Sequence, residues 1–228
     1  MKKLVKIVGI LLLLLIVIGA IFYTRNNDDL PKGKQGAKAD KLAHKMLNAL
    51  NYEAYKNTRF LEWSFRGKRF YKWDKKEHVV TVSWENTKVI LNTKEPNKTK
   101  IFENGALVKN EAVLKKATDY FNNDSFWLVA PYKVFENGIE RRLVNYQNKE
   151  ALLVTYTSGG STPGDSYLWI LNEKGLPISY KMWVSIIPIG GTEASWSDWV
   201  TTQSGALLPS KHELSVGTLD LGEVKGYN

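Results

Sequence analysis

The sequence predicts an α+β, mainly β fold: a curved antiparallel half-barrel of about ten strands with two covering helices, preceded by an N-terminal transmembrane helix. Three observations predict it. Residues 7–24 carry no charge. From residue 58 onward bulky residues recur at every second position between turn signals. Two segments, beginning near residues 37 and 110, change to helical spacing. No alternating strand–helix–strand pattern is present, which argues against a doubly wound or barrel α/β architecture. The chain divides into a signal anchor over 1–25, a linker over 26–36 and the half-barrel domain over 37–228.

The leader comes first. Lys2, Lys3 and Lys6 precede the uncharged run and Arg25 closes it. As a helix, residues 7–24 rise about 27 Å, close to the ~30 Å hydrocarbon thickness of a bilayer. Residues 10–17 are aliphatic without a break, so no polar face is left for a soluble packing. The lysines favour the cytoplasmic side, which places everything after Arg25 outside the cytoplasm. A cleavable signal peptide is the rival. Its best site, Ile18-Gly19-Ala20, starts on a bulky residue. The expected address is the inner membrane, single-pass, with the C-terminal domain in the periplasm.

Asn26 to Gly36 (NNDDLPKGKQG) is polar with Pro and two Gly, and reads as a short tether. In the helix that follows, Ala39, Leu42, Ala43, Met46, Leu47 and Leu50 share one apolar arc. His44 falls on the opposite side with Lys41, Lys45 and Asn48. The meander begins with Leu61, Trp63 and Phe65, turns at Gly67, and returns through Arg69, Tyr71 and Trp73. Val80, Val82 and Trp84 follow, then 88–91 and the pair Ile101-Phe102. Asn110 is a good N-cap for the second helix, with Glu111 in its first turn. Val113, Leu114, Ala117, Tyr120 and Phe121 form its apolar face, and it is expected to end near Asn122-Asn123. Further strands are expected over 141–146, 151–157, 167–171, 178–184, 193–199 and 211–216. Residues 172–175 (NEKG) form a hairpin turn with Gly175 where positive φ is needed.

Composition narrows the function classes. The 228 residues contain no cysteine, three histidines and eight tryptophans, with a net charge of +9. Disulfides, thiol nucleophiles and Cys-ligated zinc are excluded. His44, His78 and His212 stand alone, so no metal or cofactor site is expected. Charge is uneven. Residues 26–116 carry 20 bases and 11 acids (+9), whereas 117–228 carry 8 and 12 (−4). That polarity suits an anionic partner or membrane surface on one side. Solvated lysines on a secreted surface are the preferred explanation.

No motif carries chemistry. The run 158–165 (SGGSTPGD) is followed by a strand and lacks Gly-Lys-Ser/Thr, so a wide hairpin loop fits it better than a phosphate cradle. It also lacks nucleophile-elbow spacing, and Ser161 has no His or Lys nearby. Asp119, Asp124, Asp165, Glu193 and Asp198 could pair as a hydrolase's acid and base only if the fold converges them. Catalysis is therefore not expected. The run 65–76 (FRGKRFYKWDKK) interleaves rings and bases as single-strand nucleic-acid binders do. Buried rings with snorkelling lysines explain it, and no nucleic-acid partner is expected.

The stretch 167–183 (YLWILNEKGLPISYKMW), with Gly190-Gly191 and 194–199 (ASWSDW), resembles the second half of the LolA-like lipoprotein carriers. In that family a strand ends in an Asn/Asp-x-x-Gly turn, Leu-Pro opens the next strand, and a third follows. The resemblance is nearest to a family of unknown function among Gram-negative envelope proteins. It implies an apolar concave face, closed by helices, that receives acyl chains; no residue role carries over, because the carriers' functional Arg cannot be placed on any one position of this sequence.

The indoles lie on or beside strands, and so many fit either an aromatic solid core or a partly hollow one. The hollow reading nominates Trp63, Phe65, Tyr71, Trp73, Trp84, Trp127, Trp169, Tyr180 and Met182 as lining of an apolar cavity. The expected function is a membrane-anchored extracytoplasmic protein binding a lipid or lipoprotein acyl chain. The alternative is a structural or interaction protein of the envelope, with a filled core and another envelope protein as its partner.

Overall fold

The computed structural model describes residues 2–158 and 162–228. Helix α1 (Lys2–Asn26) stands clear of the rest. Its segment Lys6–Asn26 has a mean hydropathy of 2.9 and is 0% buried, so it is long and apolar enough to cross a membrane. A signal sequence has the same length and composition.

Helix α2 (Ala37–Ala49) buries Ala39, Leu42, Ala43, Met46 and Leu47, the arc read from the sequence. His44 is exposed and stacks on Phe135 at 4.4 Å. A six-residue helix, α3 (Tyr52–Asn57), follows and seats the buried Tyr55 ring 3.9 Å from Tyr132. Then comes the first meander: β1 (Phe60–Phe65), β2 (Arg69–Asp74), β3 (Val79–Trp84), β4 (Thr87–Asn92), β5 (Lys100–Glu103) and β6 (Ala106–Val108). Its inner face is Leu61, Trp63, Phe65, Tyr71, Val80, Val82, Trp84, Val89, Leu91 and Ile101, every one buried. The period-two pattern thus translates directly into one core-facing side.

Helix α4 (Glu111–Val129) is capped by Asn110, whose side chain accepts from the Val113 N–H at 3.2 Å. It runs seven residues beyond Asn122. The expected stop at Asn122-Asn123 is overridden because Asp124, Ser125, Leu128 and Val129 are buried; tertiary packing outweighs the weak helix preference of two asparagines. Strands β7 (Ile139–Tyr146), β8 (Lys149–Tyr156), β9 (Ser166–Leu171) and β10 (Pro177–Trp183) form the second meander. β11 (Thr192–Ser195), β12 (Ser197–Thr201), β13 (Leu207–Leu214), β14 (Gly217–Asp220) and β15 (Lys225–Tyr227) complete the chain. The single strand expected over 193–199 is broken in two at Trp196, with Asp198 at φ 55°.

All pairings are antiparallel and form two open sheets, β15-β1-β2-β3-β4-β5-β6 and β12-β13-β11-β10-β9-β8-β7, with β14 beside β13. The half-barrel expectation holds, with 15 strands among the described residues rather than about ten. The short strands β6, β14 and β15 are the ones alternation does not reveal. β14 and β15 also join the halves. Leu221 donates to the Ser210 carbonyl, while Ser64 and Arg66 donate to the carbonyls of Leu221 and Asp220 at 2.9 and 2.8 Å. The chain then enters the first sheet as β15.

The second sheet is covered on both faces, so Leu152, Leu153 and Val154 are buried in succession, as are Tyr167, Leu168 and Trp169. A small outer cluster of Val144, Ala151, Leu153 and Leu168, with Tyr146 and Trp183 beside it, lies opposite the main core. The segment read as a tether crosses this outer face. Asp28 donates its N–H to the Gly190 carbonyl at 3.0 Å and accepts at its own carbonyl from Trp183 Nε1 at 2.7 Å. Lys34 exchanges both backbone bonds with Leu143 on the edge strand β7. Gly33 lies so close that a Cβ there would stand 2.7 Å from Arg142 Cβ.

Candidate functional site

A cavity of about 480 Å³ opens over the second sheet, between α4 and strands β8, β9 and β10. That volume falls within the ~300–1,000 Å³ range of ligand pockets. Its floor is built by register. Tyr167 faces Met182 and Trp169 faces Tyr180 across β9 and β10, which puts all four on the inner face. Tyr156 continues that face on β8, and Phe126 and Trp127 descend onto it from α4. The Phe126 ring lies 4.6 Å from Tyr167, and Trp127 lies 5.8 Å from Tyr180. Val184 and Ile187 form a wall. Asn122, Asn123, Glu136 and Asn137 are exposed at the rim, with Lys133 half-buried beside them. The arrangement is an apolar floor under a polar mouth, and the cavity is partly open to solvent.

Asp165 is the buried polar element of the wall. Its carboxylate accepts from the Ser185 N–H at 2.9 Å and from the Thr162 hydroxyl at 2.5 Å, tying the β10–β11 loop to the β8–β9 loop. The floor tyrosines stay protonated: burial raises Tyr180, Tyr167 and Tyr156 well above the ordinary phenol value. The nearby Glu136 charge adds to this for Tyr156. The Tyr180 hydroxyl is buried with no hydrogen-bond partner among the described residues.

Of the nominated lining residues, Trp127, Tyr180 and Met182 reach the cavity. Trp169 lies beneath it, edge-on to Tyr180 at 5.1 Å and to Trp196 at 4.8 Å. Trp63, Phe65, Tyr71, Trp73 and Trp84 pack instead in the first half of the core. There α4 fills the curve: Phe121 meets Trp73 edge-on at 5.1 Å, and Tyr120 meets Trp84 at 5.4 Å. No first-sheet residue lines the cavity. The molecule is solid on one side and hollow on the other. Tyr156 and Tyr167 share parity with nominated residues and were legible in the alternation; Phe126 was not, because it lies in the unexpected extension of α4.

The five carboxylates are distributed. Asp119 and Asp165 line the same cavity. Asp124 is 0% exposed and takes a bidentate pair from Arg69 at 2.6 and 3.0 Å, a hydrogen bond from the Tyr71 hydroxyl and one from Asn123 Nδ2 at 2.8 Å. This clamp fastens α4 to β2. Glu193 is exposed on β11, and Asp198 pairs with Lys211 at 3.7 Å. Gly159, Gly160 and Ser161 of the Gly-rich run lie outside the described residues. The flanking strands β8 and β9 pair antiparallel, as a hairpin requires. His212 is buried with its ring nitrogens 2.8 and 2.7 Å from the carbonyls of Ser195 and Trp127. No cluster of three metal-ligating side chains occurs among the described residues.

No family model matches the chain, and no curated protein matches it. Among solved structures it is similar to a DUF1329 family protein from Desulfovibrio piger ATCC 29098. The two share 8% identity at a TM-score of 0.45, over 82% of this chain and 92% of that one. That family has no known function. The lipoprotein-carrier resemblance finds no family model behind it.

Proposed function

We propose that this protein is a membrane-anchored, extracytoplasmic module that holds an apolar chain, of a lipid or lipoprotein, in the cavity over its second sheet. The observation that carries the reading is the cavity itself: rings and Met182 below, amides and charges at the mouth. An amphiphile fits such a site because its tail leaves water while its polar end stays wet. Each methylene buried gains about 0.8 kcal/mol, so ten methylenes would give about 8 kcal/mol before the costs of association. Helix α1 supports anchoring, and Lys2, Lys3 and Lys6 ahead of it support an outward-facing domain. The role is binding rather than catalysis. Asp124 is occupied by Arg69 and Tyr71, Asp165 by Ser185 and Thr162 and Asp119 by Lys115, and Glu193 and Asp198 do not line the cavity.

The filled first half supports a second reading, an envelope interaction protein that takes no ligand. A palmitate bearing a diazirine, fed to cells making the full chain, separates the two. Photocrosslinks should map to peptides around Phe126, Tyr167 and Met182, and Met182→Trp should cut their yield at least five-fold without lowering Tm. Crosslinks confined to α1 would defeat the cargo reading and leave the interaction protein.

A further inference from the structure

Opposite the filled half of the core, the outer face of the first sheet is uncovered except at Ser64, which is buried beside Gly222. Strand register lays two rows across it. One row runs Ser64, Phe70, Ser83, Lys88, Phe102 and Leu107; the other runs Glu62, Lys72, Thr81, Ile90 and Lys100. Neighbouring strands lie about 4.8 Å apart, so rings and ammonium groups alternate across a continuous surface. Phe70 is 54% exposed and Leu107 67%, unusual for large apolar side chains with no packing partner. Lys72, Lys88 and Lys100 are exposed. Glu62 pairs with Lys72 at 3.1 Å and Asp74 with Arg59 at 2.8 Å, whereas Glu85 in the β3–β4 turn has no ion pair among the described residues. Among the described residues, Lys88 and Lys100 have no ion pair, nor do Arg66 and Lys68 in the adjoining turn. Lys72, Lys88 and Lys100, with Arg66 and Lys68 in the turn, are five of the 20 bases of residues 26–116, while the cavity belongs to the −4 half.

We propose that the outer face of the first sheet docks on the anionic surface of a lipid bilayer. Phe70, Phe102 and Leu107 enter the headgroup region, and Lys88 and Lys100 meet lipid phosphates. Charge complementarity argues for this occupant. So does chemistry, since lysines flanking apolar side chains at an interface keep their stems in the apolar layer and their ammonium groups in water. The inference rests on α1 being an anchor, which would hold the face near a bilayer at all times, but not on the cavity holding a ligand.

The absence of cysteine permits a direct test. Full-length protein carrying Ser83→Cys, labelled with an environment-sensitive fluorophore, is reconstituted into nanodiscs of phosphatidylcholine alone or mixed with phosphatidylglycerol. Cofractionation with neutral nanodiscs reports the anchor separately from docking. A blue shift with quenching by spin-labelled lipid is expected only on the anionic bilayer, and high salt should reverse it. Each lysine near such a surface is worth about a five-fold preference. Lys88→Gln/Lys100→Gln should therefore lower the docked-to-free ratio about 25-fold. A label that stays wet on both bilayers, an equal shift on both, or a shift elicited only by added single-stranded nucleic acid would overturn the proposal.

Discussion

Replacing Asp124 with Ala removes the group on which α4 and β2 meet. In the intact protein this carboxylate is 0% exposed and receives two N–H bonds from Arg69, the Tyr71 hydroxyl and an Asn123 amide. Arg69 also lies over the rings of Phe65 and Tyr120 at 4.5 and 4.3 Å, so it cannot swing away without surrendering those contacts. Breaking a buried pair by deleting one partner costs about 3–5 kcal/mol, because the other charge is left uncompensated. The Arg69 side chain keeps 21% of its exposure and can be partly rehydrated, which places the cost near the lower bound, about 3 kcal/mol. For a domain of this size 1 kcal/mol moves Tm by about 2–4 °C, so Asp124→Ala should melt about 6–12 °C lower. Differential scanning fluorimetry of the full chain in detergent micelles reads this directly. Arg69→Met combined with Asp124→Ala should be less destabilised than the two single losses added together, since the double variant leaves no orphan charge. A Tm for Asp124→Ala within 2 °C of the parent, or strictly additive losses, would refute the clamp.

Two further outcomes follow from other contacts. Burial holds the His212 imidazole below its ordinary value of 6.5, although the carbonyls of Ser195 and Trp127 favour the protonated ring. The native state thus binds its proton less readily than the unfolded chain. His212's contribution is complete above pH 6.5 and is lost as pH falls below it; Tm should decline as pH falls below 6.5, and His212→Phe should flatten that decline. A parent Tm that rises on acidification through this window would show that the carbonyls prevail. Separately, Gly33→Val forces a side chain into Arg142 and Val144, whose Cβ and Cγ2 would lie 2.7 and 2.9 Å from the new Cβ. Overpacking of this kind costs about 1–3 kcal/mol. Amide exchange should accelerate at Lys34 and Leu143, and unchanged protection there would mean the strap yields without strain.

Much of the fold is written locally. Alternation from Leu61 to Trp84 is a property of the sequence, and strand geometry turns it into one buried face. The arc from Ala39 to Leu50 and the Asn110 cap are equally local, because each depends on residues within one or two turns. Gly175 at φ 93° closes the β9–β10 hairpin where the sequence placed it. What remained hidden depends on contacts between residues far apart in the chain. Asn122-Asn123 reads as a helix end until Arg69 and Tyr71, more than fifty residues earlier, are brought to Asp124. The polar segment 26–36 reads as a short tether, and only the folded chain shows Trp183, Gly190 and Leu143 as its hydrogen-bond partners.

The candidate site divides the same way. Periodicity states which side of a strand is apolar, but not what lies opposite it. Trp63 and Tyr180 carry the same signal in the sequence. One is packed within the filled half of the core and the other faces the cavity, because α4 packs on the first sheet through Tyr120 and Phe121, whereas on the second it touches Tyr167 and Tyr180 through Phe126 and Trp127 and leaves the cavity beside them. The sequence by itself determined the apolar leader, the charge asymmetry and the ring-bearing strand faces, since these are fixed by residue type and spacing. Only the tertiary structure decided which half is full and which is hollow, since a cavity is set by how far two elements stand apart, and no spacing along one chain encodes that distance.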